Sequence, residues 1–334
     1  MGLLAIVTSL ALDKRLIDPE GFLGPAWIRL PLMALGAFAL DVVPRTLWAS
    51  RLQPAAMWPV VRHRVRTHWT KERITLVALG LTCFYVTYVS YRNLKSFLPF
   101  VMGEEKYDRE LHILDQWLFF GQEPAVVLHE VLGSGVSAHV LSTIYMWYLP
   151  MVPLAMAAWV VWSRNISFGY WYATSQCLGW SLGTASYYML PTLGPGFEYP
   201  WLYEGLATSG ASTLMDSLFY GRANVLHADL EGAMNSVAGF ASLHTAITLL
   251  WALMAQYTIR SRWVHWVLWA NFGLTIVATL YFGWHYVADD IGGIAIALVA
   301  FYVGGLATGQ KFDRRGMTSY PTTTTSAVPV EEPR

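Results

Sequence analysis

Long apolar runs, separated by short and mostly basic polar stretches, dominate the chain. A helix of about 20 apolar residues crosses the hydrocarbon core of a bilayer. On that measure the pattern predicts seven spans, at 26–43, 74–98, 137–162, 170–190, 239–258, 264–283 and 286–307. The fold class that follows is all-α, a polytopic membrane bundle of about seven transmembrane helices. Pro25, Arg29 and Pro31 interrupt the start of the first run. Ahead of it, Met1 to Leu12 is apolar but short, and it ends in Asp13-Lys14-Arg15. This stretch lacks the basic start and small-residue cleavage site of a secretory signal, so it reads as an interfacial helix.

Polar segments orient the spans. Residues 44–73 carry Arg45, Arg51, Arg62, Arg64, Arg66, Lys71 and Arg73 against one acid, Glu72. Further basic residues are Arg164, then Arg260 with Arg262, then Lys311, Arg314 and Arg315. With seven spans these four segments share a side, which should be cytoplasmic. Three parts result. Residues 1–73 hold the interfacial helix, the first span and a basic cytoplasmic loop; 74–307 form a six-helix core; 308–334 form a disordered cytoplasmic tail. The non-cytoplasmic face receives 99–136, 191–238 and the short turn before His285. In 99–136, Leu111, Leu114, Trp117 and Leu118 are spaced as an amphipathic helix lying at the interface. The 191–238 segment, rich in Gly, Pro, Ser and Thr, is too long for a plain connector and reads as functional.

Composition agrees with a membrane protein. Hydrophobic residues make up 55% and charged residues 13%, where a soluble domain carries about a quarter charged. Zero net charge gives no reason to expect a nucleic-acid partner. The expected surroundings are the bilayer. Cys83 and Cys177, each in an apolar run, allow neither a disulfide framework nor a zinc site of Cys type.

Ionisable residues at span ends are costly to bury and mark candidate sites. His244 opens the fifth span behind Ser242, while His285 and Asp289 lie where the sixth span gives way to the seventh. A four-residue helical spacing puts His285 and Asp289 on one face. The carboxylate then fixes the imidazole tautomer, as a histidine nucleophile needs. Two histidines and a carboxylate suffice for two-step phosphoryl transfer, supplying nucleophile, acid/base and orienter. Ser242 and His244 sit at a helix start, where free N–H groups favour phosphate. Two histidines and an aspartate are also a set that can bind a metal. Asp290, next to Asp289, should point about 100° away.

Ser-x-His at one helix head and His-x-x-x-Asp at another resemble two motifs of the type-2 phosphatidic acid phosphatase superfamily. The form Ala241-Ser242-Leu243-His244-Thr245-Ala246 is similar to the branch containing inositol phosphorylceramide synthases. So is Ala278-Thr279-Leu280-Tyr281 before His285, and so is Tyr187-Tyr188-x-Leu190-Pro191-Thr192 with Gly194-Pro195. The resemblance covers about residues 80–307. It implies His285 as nucleophile, His244 as acid/base and Asp289 as orienter. The superfamily's Lys-x-x-x-x-x-x-Arg-Pro motif is absent, and its Ser-Arg pair is Ala278-Thr279 here. Arg92 and Lys95, three apart near the outer end of the second span, are the candidate phosphate-binding cations, with Arg222 as a third.

The expected activity is transfer of a phosphorylated polar head group from a membrane lipid to a lipid or sugar-lipid hydroxyl through a phosphohistidine, with no cofactor or metal. The alternative uses water, making a lipid or polyprenyl phosphate phosphatase. A transporter or scaffold is the third reading, though a transporter would show inverted repeats with helices broken at mid-membrane.

Overall fold

The computed structural model describes residues 1–19, 21, 25–103, 105–227 and 237–312. Thirteen α-helices follow one another among the described residues. The N-terminal part has α1 (Gly2–Ala11), α2 (Ala26–Ala49), α3 (Pro54–His68) and α4 (Lys71–Met102). Next come α5 (Asp108–Leu118), α6 (Pro124–Leu132), α7 (Val136–Met156), which continues as a π-turn over Ala157–Trp162, and α8 (Ile166–Met189). A short α9 (Pro195–Glu198) and α10 (Gly210–His227) lead to α11 (Leu243–Thr258), α12 (Arg262–Tyr281) and α13 (Val287–Ala307).

Five helices are long and apolar enough to cross a membrane: α2, α4, α7 with its π-turn, α12 and α13. The protein is a multi-pass, all-helical membrane protein, but the expected count of seven spans is not confirmed. The other two expected spans do form helices. At 16 residues α11 is short, and every side chain from Thr245 to Ala255 is buried. A helix apolar all round belongs in a core. Around α11 pack α7, α8, α12 and α13. The second, α8, is rich in Gly, Ser, Thr and Tyr because it touches helices on several sides. A Cβ on Gly183 would meet Leu243 of α11. Small residues let helix backbones approach closely. Trp171, Tyr172, Ile247, Leu250, Trp251, Met254 and Phe301 are the fully buried centre.

The basic segments gather at one end. Arg73, itself buried, donates to the carbonyls of Val160, Ser163 and Arg164. His68 meets Val161 O at 2.7 Å, Trp159 Nε1 donates to Thr258 Oγ1, and Gln310 Nε2 donates to Ser167 Oγ. Thus residues near 68–73, 159–167, 258 and 310 adjoin one another. The stretch 44–73 is not a plain loop, for it contains the whole of α3, and α2 runs six residues past the expected end of the first span at 43. The buried Asp41 of α2 ties this stretch down, binding Arg45, Arg64 and the indole of Trp69. The N-terminal α1 packs on α4, with Gly2 beside Val86 and the Ile17 backbone bonded to Asn93. The expectation for the tail falls mainly on 313–334, outside the described residues.

Candidate active site

The opposite end of the bundle brings together the heads of α11 and α13 with the loops that precede them. Ser242 caps α11, its Oγ accepting the N–H of Thr245, while its own N–H donates to Asp289 O at 2.9 Å. Ser242 is fully buried, so its polar groups serve the joint between the two helices. Leu243 and His244 follow as first-turn residues, whose N–H groups have no acceptor within the helix.

His285 is not on a helix. It sits two residues before α13, and the aspartate reaches back to it. Asp289 Oδ2 accepts the N–H of Tyr286 at 3.0 Å and lies 3.3 Å from His285 Nδ1. That is an N-terminal capping arrangement, with the third helical residue turned back on the chain before the helix. The expected pairing is present, but its cause is the cap and not a shared helical face. Asp289 is fully buried and His285 nearly so. With Nδ1 committed to the carboxylate, Nε2 carries the free lone pair.

The His244 and His285 rings face each other with centroids 6.5 Å apart. His244 is held by two tyrosines one helical turn apart on α7. Tyr145 stacks on it at 4.4 Å and 18°, and Tyr148 lies at 4.1 Å. The Tyr145 ring also stacks on Trp284, just before His285. One aromatic column therefore sets the spacing between both histidine-bearing segments.

Two glycines let the loops meet backbone to backbone. Gly283 (φ +71°) accepts the N–H of Gly196 at 2.7 Å, and a Cβ there would run into the Tyr203 ring. Gly194 (φ +101°) lies so close to Trp284 O that a Cβ would stand 2.5 Å from it. Thr192 ties the same loop to the α11 side, accepting the N–H groups of Gly239 and Phe240.

Among the candidate cations, Lys95 lies over the rings of Tyr91 and Tyr187 at 5.8 Å from each centroid. Arg92 is half-buried one turn earlier on α4. Arg222 lies elsewhere, lining a cleft with Lys106, Glu105 and Thr192. Burial depresses its pKa, and Glu198 and Asp108 offset part of that. Lys106 is paired with Glu198. Through Thr192 the cleft adjoins the loop leading to His244, but the structure does not bring Arg222 against the histidines. Asp290 accepts bonds from Thr245 on α11 and Thr279 on α12. Thr279, where the superfamily pattern has its Arg, thus serves a helix junction.

A family model described as the PAP2 superfamily matches residues 109–303, more than half of the chain. The chain belongs to the PAP2 superfamily. Its matched region takes in α5 to α13 and hence both histidine segments of this PAP2 protein, while α1 to α4, with Arg92 and Lys95, precede it. A lipid A 4'-phosphatase of Porphyromonas gingivalis is 34% identical over 61 residues, a stretch that covers 18% of this chain and 26% of that relative. No solved structure matches.

Several site residues carry no signal in sequence. Tyr145 and Tyr148 look like any aromatics of an apolar run, and Trp284 like part of an interface belt. Asp108 and Asp115, whose carboxylates touch the loop around His285, are hidden in a mixed-charge stretch. Their seven-residue spacing, two helical turns, was the available clue.

Proposed function

We propose that this protein breaks a lipid phosphate ester through a covalent phosphohistidine on His285, with His244 as acid/base and Asp289 as orienter. The observation that carries the proposal is the pairing of His285 Nδ1 with Asp289, opposite the aromatic-braced His244. His285 Nε2 attacks phosphorus and the bond to the lipid oxygen breaks, while His244 gives that oxygen a proton. His244 then takes a proton from the acceptor hydroxyl, whose oxygen attacks phosphorus and frees His285. Negative charge on the equatorial oxygens is met by the first-turn N–H groups after Ser242 and by Lys95 and Arg92. Arg222, in its neighbouring cleft, binds an outlying part of the anionic head group. The site faces away from the cytoplasm, a reading supported by the gathering of basic segments at the other end.

Two acceptors follow from one chemistry. Water makes a lipid phosphatase, which the name of the Porphyromonas relative favours. A lipid or sugar-lipid hydroxyl makes a head-group transferase. That reading is favoured by Ala241-Ser242-Leu243-His244 and by Ala278-Thr279 in place of Ser-Arg, which resemble the inositol phosphorylceramide synthase branch. The test is to incubate purified protein with a lipid phosphate ester in excess EDTA, with and without a lipid alcohol. Inorganic phosphate released from a monoester, or phosphorylated head group released from a diester, identifies water as acceptor, and a phosphorylated head group moved from a diester to the alcohol identifies the transferase. Activity lost in EDTA and restored by a divalent ion would make the two histidines and the aspartate metal ligands and overturn the mechanism.

A further inference from the structure

The helix α5 is amphipathic as its sequence predicts, yet its faces are assigned unexpectedly. Leu114, Trp117 and Leu118 are exposed, with Trp117 at 75%, while Asp108, Leu111 and Asp115 form the buried face. Burying a carboxylate without a cation is costly, and neither aspartate has a salt bridge among the described residues. Their partners are instead groups on the two loops that frame His285. Asp108 accepts the N–H groups of Leu193 and Gly194 at 2.9 Å and the hydroxyl of Tyr286 at 3.1 Å. Asp115 accepts the N–H of Val287, the first residue of α13, at 3.2 and 3.3 Å. Tyr286 is thus gripped twice, by Asp108 at its hydroxyl and by Asp289 at its N–H.

We infer that Asp108 and Asp115 are positioning residues for His285, holding the 193–194 and 286–287 segments so that its imidazole keeps register with Asp289 and His244. The geometry leaves the segment little freedom. His285 follows Gly283, a residue with left-handed backbone that supplies no stiffness of its own. Its fixed points are the Trp284 stack on one side and Tyr286 and Val287 on the other, and the second set is anchored on α5. This role rests on His285 being the nucleophile, but the anchoring itself does not depend on any substrate. It also gives the interfacial helix a part in the reaction. Anything that lifts α5 from the bundle removes two acceptors from the segment beside His285.

The test compares Asp108→Ala, Asp115→Ala, their Asn counterparts, Tyr286→Phe and Leu111→Ala in the full-length protein. Two readouts are needed: steady-state turnover of a lipid phosphate, and the 15N imidazole signals of His285 in selectively labelled protein. Misplacement of a reacting group by about 1 Å can cost on the order of 100-fold. The Ala variants are expected to lower kcat about 10- to 100-fold with KM within about twofold, and to shift the His285 tautomer balance. An Asn side-chain oxygen still accepts an N–H, so both Asn variants should recover most of the loss. Tyr286→Phe should show a smaller change of the same kind. Leu111→Ala lowers the melting temperature through α5 without moving the His285 signals. If the Ala variants do not fold, the Asn and Phe variants carry the same comparison. Unchanged His285 signals in the folded variants, or a kcat loss that tracks melting temperature and is shared by Leu111→Ala, would overturn the inference. Should the wild-type protein turn over no lipid phosphate, the proposed function fails while the imidazole signals still report the anchoring.

Discussion

His285 Nδ1 and Asp289 Oδ2 stand 3.3 Å apart, and the carboxylate reaches the imidazole from the first turn of a helix that the histidine itself does not enter. Because Asp289 is anchored by Tyr286 N–H at 3.0 Å, the bond to His285 costs little further ordering. One carboxylate thus caps α13 and fixes the tautomer of the residue proposed to attack phosphorus.

His285→Ala should abolish turnover, and Asp289→Asn should lower it about 10³- to 10⁴-fold, the size seen when an orienting carboxylate is replaced by an amide. Both should fold. His285 lies on the loop before α13 and not inside a helix, and Asn still accepts the Tyr286 N–H. Circular dichroism and melting temperature check the fold, and lipid phosphate turnover checks the rest. A His285→Ala enzyme with substantial activity sinks the nucleophile assignment.

Tyr145 sits between the rings of His244 and Trp284. Tyr145→Phe retains the stack and should keep activity within about twofold. Tyr145→Leu loses an aromatic pairing worth about 1 kcal/mol, which should lower kcat roughly five- to tenfold. Equal activity in Phe and Leu variants would show that the stack does not hold His244.

Side-specific labelling tests the orientation. After replacement of Cys83 and Cys177, a cysteine at the exposed Trp201 should react in intact cells with an impermeant thiol reagent. A cysteine at the exposed Arg51 should react only after lysis. The reverse pattern would place the histidine site on the cytoplasmic side.

Asp115 carries a pH signature. Burial pushes its carboxyl up to about 7, with Asp289, Glu123 and Asp290 adding to the rise and the Val287 N–H opposing it. A folded-state pKa raised above the ordinary carboxylate value favours the protonated form. Its stabilising contribution is therefore complete below about pH 4 and is lost as pH rises through about 7. The melting temperature of the wild type should fall between pH 5 and pH 8. In Asp115→Asn, where nothing titrates at that position, the fall should be smaller. Parallel curves for the two proteins would contradict the assignment.

Apolar periodicity was enough to read most helices, and two short motifs were enough to single out His244, His285 and Asp289. What the pattern could not give was context. A run such as 243–258 is equally apolar whether lipid or protein surrounds it, so sequence could not show that α11 is the bundle's buried centre. Asp108 and Asp115 stand among Glu105, Lys106, Arg109 and Glu110, so their charges read as solvated. Only the tertiary structure shows that they accept N–H groups from loops 85 and 172 residues away. Arg222 stood out as a spare cation in a long polar segment, but sequence could not show that it lines a cleft with Lys106 and Thr192.

The most direct test of the account is to trap the covalent intermediate. Protein mixed with a 32P-labelled lipid phosphate ester is quenched within milliseconds to seconds and digested, and the labelled peptide is mapped. The account predicts an acid-labile, alkali-stable phosphoryl group on His285, absent from His285→Ala. In His244→Ala it should form and decay slowly, since that variant lacks the acid for the first step and the base for the second. Turnover with no phosphorylated histidine, or label on another residue, would contradict it.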